Sequence, residues 1–456
     1  MESLEHTKII AHWIHLTQFS CLWMLSFGIE DLAAFDPAYE NAPVHYSDTS
    51  ESTSLTRYFA KVESGEETLP KNGDRAVLEH LLKVLEVPIE SQVLVYSKTS
   101  AQNSRISPET PRAIYHSDNA YVGWVQGGNI EVATFDSKLG VVFHLVELSG
   151  LSQSQKPTLV RDRSCLNCHA GSSNYNFPGL MVRSVFPRED GQPFFHAGSF
   201  HTRQDSPIEE RWGGWYVTGS VEGHSHMGNS IAKEGETRDD PIILNSLTEK
   251  PVHELSQFID GGPYSGGARS DVVSLMILEH QVSLHNELIR ANLVTQQTLH
   301  RHREMKKAFG EPIDSPLSET NQNILDHHSD DILEQMLFAN ELDLPEQGIE
   351  GSLEFQSAFQ ENRKKDNEGR SLKDLRLYER LFKYRCSYLI YSEAFTSLPE
   401  EIKSIIYRKL HSILTNPQSH PEYLYLGSSE RKRIYQILSG TITDLPDYWK
   451  EPEEEG

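Results

Sequence analysis

Apolar positions along this chain change period as it runs, and each change marks a different kind of structure. Residues 76–85 repeat at helical spacing, and 92–96 then alternate as a short strand does. Across 113–148 the pattern stays strand-like, with Ala-Tyr-Val-Gly-Trp-Val at 120–125, a Gly-Gly turn at 127 and 128, and an apolar run at 141–146. A second β-rich stretch is expected over 180–219, around the turn signal Glu189-Asp190-Gly191. Past the glycines of 261–267 the spacing becomes helical. Residues 271–309 read as one long helix with Asp271 at its start and Gly310 at its end, and 372–396 and 399–414 read as two more. Residues 45–72, 311–330 and 341–371 are polar and turn-rich, as surface connections are. These patterns predict an α+β protein, with a β-rich N-terminal half over 35–265, a mainly helical region over 266–450 and a frayed acidic tail at 451–456.

The first 34 residues stand apart. Residues 9–29 contain no Asp, Glu, Lys or Arg, a length that suits a signal sequence or a membrane anchor. The flanks argue the other way: Glu2 and Glu5 offset Lys8, no small-x-small cleavage site follows, and His12 and His15 interrupt the run. An apolar N-terminal helix is the alternative.

Composition narrows the class. With 37% hydrophobic and 24% charged residues the chain falls among soluble globular proteins rather than disordered ones. Its formal charge of −24, with only short and scattered basic runs, excludes a nucleic-acid groove and suits a basic partner. The four cysteines, Cys21, Cys165, Cys168 and Cys386, are too few and too dispersed for a disulfide framework. Two of them form a motif.

That motif is Cys165-Leu166-Asn167-Cys168-His169, which matches C-x-x-C-H and lies between the two strand-rich stretches. In such a site two thiols add across the vinyl groups of haem c and the adjacent imidazole, here His169, becomes the proximal iron ligand. A zinc half-site would need a second Cys or His pair, and no second C-x-x-C exists. A redox dithiol gives no reason for the histidine. Thioether attachment takes place on the outer side of an energy-transducing membrane, so the haem reading predicts a periplasmic protein or one on the outer face of the cytoplasmic membrane.

For the sixth iron position Met227, in the His-Ser-His-Met-Gly-Asn loop at 224–229, is the first candidate, and His280, on an apolar face of the long helix, is the second. Met181, His196 and His201 are weaker ones, and an open position is a further option. Each has a bland alternative in packing or ordinary surface polarity. Arg183 and Arg211, with Arg163, are candidates for pairing with the haem propionates, against the alternative of solvated surface arginines. Trp212, Trp215 and Tyr216 offer aromatic area for the porphyrin faces or for a general core.

Beyond the motif, the chain resembles a family of large uncharacterised bacterial monohaem proteins with a cytochrome c domain. The resemblance is carried by Arg105-Ile106-Ser107-Pro108, Arg112-Ala113-Ile114-Tyr115, Val122-Gly123-Trp124-Val125, Pro178-Gly179 and Val182-Arg183-Ser184-Val185. It continues through RWGGWYVTG at 211–219, His226-Met227-Gly228-Asn229, His280-Gln281 and the run from Cys386 to Ser392, covering most of residues 35–400. It implies haem and iron binding with electron transfer, and a Cys386 that belongs to a C-terminal helical motif. Relatives often carry Thr-His-Gly after the RWGGWYVTG block. Ser220-Val221-Glu222 stands there in this chain, which removes position 221 from the ligand set.

Three functions compete. An exported monohaem protein would pass single electrons to or from a redox partner protein. A peroxidase-like oxidoreductase would leave the iron open or weakly ligated, with His226, His280 or Arg183 assisting proton movement. A haem-based sensor would transmit ligand binding to the helical half, and no output-domain signature accompanies it.

Overall fold

The computed structural model describes residues 37–71, 73–148, 157–235, 242–248 and 250–450, so the apolar segment at 9–29 and the tail at 451–456 lie outside it. Six strands, β1 (Val93–Val95), β2 (Arg112–His116), β3 (Ala120–Trp124), β4 (Ile130–Asp136), β5 (Gly140–Glu147) and β6 (Thr158–Arg161), pair antiparallel in sequence order. Strand β6 leads through a single 3-10 turn into the one-turn helix α3 (Leu166–His169).

Because side chains alternate along a strand, the sheet has two distinct faces, and both are apolar. Ala113, Tyr115, Val122, Trp124, Ile130 and Val132 pack on one side with Leu55 and Phe59 of helix α1 (Ser54–Ser64) and Leu78, Leu81 and Leu82 of helix α2 (Asp74–Val84). Tyr121, Ala133, Phe135, Val141 and Phe143 pack on the other side against helix α4 (Val272–Phe309). Helix α1 corrects the expectation of a polar connection over 45–72. Leu55, Tyr58, Phe59 and Val62 have i, i+3, i+4, i+7 spacing within polar surroundings, and Thr53 caps the helix through a reciprocal pair with Thr56.

Helix α4 runs as its spacing predicts. The Asp271 carboxylate accepts the Ser274 N–H at 3.0 Å, and Gly310 ends the helix at φ 69°. Residues 271–285 are all buried, including Glu279, His280, Gln281 and His285. A helix buried all round cannot leave polar groups to water, so each one reaches into a neighbouring layer. Gln281 Oε1 lies 2.6 Å from His116 Nδ1 on the sheet, and the Tyr121 hydroxyl lies 2.7 Å from His285 Nδ1. Glu279 takes Arg211 at 2.8 Å.

Residues 180–219 hold less sheet than expected. They contain only β7 (Arg183–Val185) and β8 (Ser199–His201), because Pro187, Pro193 and Pro207 break any longer ladder and side chains such as Ser184 bond the loop backbone instead. Short ladders follow, in which β10 (Ser230–Glu234) pairs with β11 (Ile242–Ser246) and β9 (Ser220–Val221) pairs with β12 (Ile349–Glu350). Two expected connections contain helices, α5 (Glu319–Met336) and α6 (Leu353–Gln360). Conversely, the helix expected over 372–396 is cut into hairpin strands β13 (Leu375–Tyr378) and β14 (Arg380–Phe382), a 3-10 turn and the short helix α7 (Glu393–Thr396). Leu377 and Glu379 adopt positive φ, and Ser387 and Ser392 cap new turns, so no helix can run through. Helices α8 (Glu400–Thr415) and α9 (Ser428–Thr441) complete the C-terminal half.

The fold is therefore α+β, with the sheet in the N-terminal half and helices in the C-terminal half. One hydrophobic core runs from Phe143 through Leu284 and Leu333 to Ile406 and Ile437, so packing does not break at residue 266. Among the described residues no helix is long and apolar enough to cross a membrane.

Two outcomes follow for stability. Asp271→Ala removes the cap of α4 together with the acceptor for the Ser352 N–H, and urea unfolding should show a loss of about 2 kcal/mol. Burial drives the His280 pKa down to about 3, so its neutral form is the folded form. The stability this contributes is full above pH 6.5 and is lost as pH falls toward 3. A His280→Gln variant, which cannot titrate, should lose up to about 1.4 kcal/mol per pH unit of that acid slope when unfolding free energy is measured across this range.

Candidate functional site

Helix α3 and the 3-10 turn before it bring the C-x-x-C-H residues to one side of the chain. Cys165, Cys168 and His169 stand at i, i+3 and i+4 of one helical turn, and Asp162 starts the turn by accepting the Ser164 N–H at 2.8 Å. Both thiols are free, Cys168 exposed and Cys165 partly buried against the main core.

His169 is held by a reciprocal pair of hydrogen bonds across the loop that follows. Its Nδ1 lies 2.8 Å from the Gly179 carbonyl, and the Gly179 N–H donates to the His169 carbonyl at 2.9 Å. A carbonyl only accepts, so Nδ1 carries the proton. Burial, opposed in part by this bond, lowers the imidazole pKa, so the ring is neutral near pH 7. Together these facts leave the Nε2 lone pair for a metal, the tautomer that a metal-bound histidine with a carbonyl partner adopts.

The long helix fixes the acceptor. Asn286 of α4 takes the Leu180 N–H on Oδ1 at 2.8 Å and gives its amide to the Leu180 carbonyl at 2.9 Å, clamping the peptide beside Gly179. Asn174 donates to the His169 carbonyl at 3.0 Å. Gly179 has no room for a side chain, since a Cβ there would lie 2.8 Å from Asn286 Oδ1 and 3.0 Å from Asn174. A cavity of about 310 Å³ adjoins this segment, lined by Asn174, Leu180, Met181, Asn286 and Arg290 among others, and neither His169 nor the two cysteines line it.

On the sheet side, the Phe143 ring lies 4.5 Å from the His169 ring. Arg112 and Glu131 form an ion pair on the same face, and their charges act on both Cys165 and His169. The Cys165 thiol is pushed up to about 11, first by burial and then by Asp162 and Glu131. A redox dithiol needs the opposite, a thiolate stabilised below its ordinary value.

The remaining candidates are placed elsewhere. His280 has both nitrogens engaged, at 2.8 Å from Gln204 Oε1 and 2.8 Å from Ser387 Oγ, and it stacks on Phe338. With no free lone pair it is a core residue and not an iron ligand in this arrangement. Met227 is buried with its sulfur 3.5 Å from Ser184 Oγ, beside Gly213. Arg211 is also corrected: its three guanidinium nitrogens go to Glu279, Ser206 and Gln204 inside the protein, which leaves it no place at a haem carboxylate. Arg183 keeps a buried Nε without a hydrogen-bond partner. Arg163 is exposed and bonds the Ser47 carbonyl.

Met181 accepts from Ser173 at 3.4 Å, His196 and His201 are exposed, and His226 meets the edge of Trp212. Trp212 and Trp215 join the main core, and Tyr216 packs on the opposite side of the sheet from His169. Cys386 is fully buried at a turn before a 3-10 helix, not within a helix, and burial pushes its thiol up to about 12.

The residues present fit a c-type haem. That group brings four iron ligands in its own ring and asks the protein for two thiols and one imidazole nitrogen. Among the described residues no three His, Cys, Asp or Glu side chains converge as an all-protein metal site would require, so the zinc alternative lacks its further ligands. Arg112 and Pro178-Gly179 stand in the sequence only as parts of the blocks that carry the resemblance, without a role, and Asn174, Asn286 and Glu131 were missed, because all of these act through pairings across the fold that spacing does not reveal.

Asn286→Ala should free both backbone polar groups of Leu180 and cost about 2–3 kcal/mol in urea unfolding. Asn286→Asp, which keeps one acceptor and loses the donor, should fall between wild type and alanine.

Compared with protein-family models, with curated proteins and with solved structures, the chain matches none, so the reading of this site rests on its own geometry.

Proposed function

We propose that this chain is an exported c-type cytochrome-like protein that holds one haem through thioethers at Cys165 and Cys168, with His169 as proximal ligand, and passes single electrons to or from a partner protein. The observation that carries the reading is the His169–Gly179 pair, which presents a neutral imidazole with its proton on Nδ1 and its lone pair on Nε2. Attachment balances without an oxidant: each S–H adds across one vinyl C=C, a C–S bond forms, and the thiol hydrogen ends on the second vinyl carbon. When bound, the haem supplies a ferric/ferrous one-electron couple.

The chain's own residues orient the imidazole, exclude water from its ring through Phe143, and fix the acceptor through Asn286. Attachment of this kind puts the protein in the periplasm or on the outer face of the cytoplasmic membrane. The charge of −24 suits a basic redox partner.

A second reading, a peroxidase-like oxidoreductase, is favoured by one observation: His280 has no nitrogen free, so the iron loses one of its two leading distal candidates. Expression with a haem-attachment system tests both readings. Wild type should keep its haem through denaturing electrophoresis, whereas Cys165→Ser/Cys168→Ser should lose it. Haem that leaves the wild type in denaturant overturns the proposal. Optical spectra then divide the two: a low-spin iron in both redox states that ignores carbon monoxide supports the carrier, and a high-spin ferric iron that binds added ligands supports the oxidoreductase.

A further inference from the structure

Among the described residues, one end of the sheet face that carries His169 is less covered than the rest of that face. Ile114, Gly123, Glu131, Leu145 and Val160 form one unbroken cross-strand row from β2 to β6. Side chains pointing the other way, Ala113, Val122, Ile130, Val132 and Val146, are at most 2% exposed. Within the row itself Ile114 and Leu145 are only partly buried, and Val160 is 38% exposed. The neighbouring row on the same face, Tyr121, Ala133 and Phe143, is buried, and the His169 ring lies against Phe143. Cover by helix α4 and the His169 turn thus stops at this row, beside Cys165.

A charged pair lies within the row, since Glu131 is its middle residue and pairs with Arg112. Arg112 spans Gly123, whose missing side chain makes the room: a Cβ there would lie 2.5 Å from the guanidinium Nη2. Glu131 pairs with this guanidinium and is itself held by Ser100 Oγ and Gln102 Nε2, each at 3.0 Å. The Arg112 Nε is buried and has no hydrogen-bond partner. Apolar residues on either side of a guanidinium with an unmet donor, near Cys165, match a flat apolar ring that carries carboxylates.

We propose that this row is the wall on which the haem lies, with Ile114, Leu145 and Val160 against the macrocycle, and that Arg112, which covers Gly123, is the basic residue beside its carboxylates rather than Arg183 or Arg211. The inference rests on the covalent-haem reading above and adds the surface and the electrostatic partner. Arg112 and Glu131 then act on the iron in opposite senses, since a nearby positive charge favours the reduced state and a negative one the oxidised state.

Hydroxyl-radical footprinting of the full chain, comparing the haem-loaded protein with Cys165→Ser/Cys168→Ser, should show several-fold protection of Ile114, Leu145 and Val160 only when haem is attached. Redox titration should show Arg112→Gln shifting the reduction equilibrium roughly three- to tenfold toward ferric, Glu131→Gln shifting it toward ferrous, and Arg112→Lys restoring it. A purely structural role for the pair would not give opposite signs.

Equal labelling of the three residues with and without haem overturns the proposal, whether they stay exposed or another part of the chain covers them. Shifts of the same sign, or none, overturn the role of Arg112. Absence of covalent haem in the wild type overturns the reading of the function itself, and denaturing electrophoresis registers that outcome before either experiment begins.

Discussion

Burying the first half of helix α4 on all sides sets the terms for everything around it. Its residues from 271 to 285 have no exposed face, yet they include two carboxylates, two imidazoles and an amide. Left unpaired in the interior, each such group would destabilise the fold by roughly 1–3 kcal/mol or more. The structure gives each of them at least one partner, drawn from separate parts of the chain. His116 and Tyr121 come from the sheet, Arg211 and Gln204 from the irregular segment after β8, and Ser387 from the C-terminal half. These pairings fix the register of the layers as hydrophobic contact alone would not, because an apolar surface tolerates a small slide and a bond of 2.6–2.8 Å does not.

The same helix, at the residue after His285, organises the candidate site. Asn286 engages the N–H and the carbonyl of Leu180, and the peptide unit of that N–H presents the Gly179 carbonyl to which His169 donates. A useful contrast separates His169 from the core histidines. His116 and His280 are bonded at both nitrogens, so they hold the fold and have nothing left to offer. His169 is bonded at one nitrogen, by a group that dictates which nitrogen keeps the proton. The core residue His285 is also bonded at one nitrogen, so the place of His169 on a turn with two free thiols is what distinguishes a residue poised for chemistry from one used in packing.

Features governed by local rules were legible in the sequence. The C-x-x-C-H turn, the β1–β5 strands and the entire α4 helix with its Asp271 and Gly310 caps follow from spacing, alternation and capping chemistry. Features that depend on distant partners were not. Helix α5 carries a high charge density and buries only Leu325, Ser329, Ile332, Leu333 and Met336, so its composition resembles a solvated connection until α4 and α8 lie against it. Residues 372–396 have helical periodicity, but positive φ at Leu377 and Glu379 and the serine caps at 387 and 392 favour a hairpin and short turns. At the site, Arg211 sits in an aromatic-rich block that looks like a ligand pocket, and only the fold reveals that Glu279 claims its charge.

The size of the chain, large for the single haem proposed at Cys165, Cys168 and His169, follows from the same constraint. A sheet can cover one side of a helix, and α4 must be covered all round along its first half before Asn286 can be held still. The β-rich half covers the side facing Phe135, Val141 and Phe143. The remaining sides are closed by α5, by the turn of Tyr388, Leu389 and Ile390, and by Phe338 and Phe382, which enclose His280. Without that second layer, Glu279 and His280 would meet water, the helix would shift to expose them, and the Leu180 peptide would move with Asn286. The helical half thereby contributes to the geometry of His169 without touching it. A compact fold that omitted it would need another rigid support for the Gly179 carbonyl.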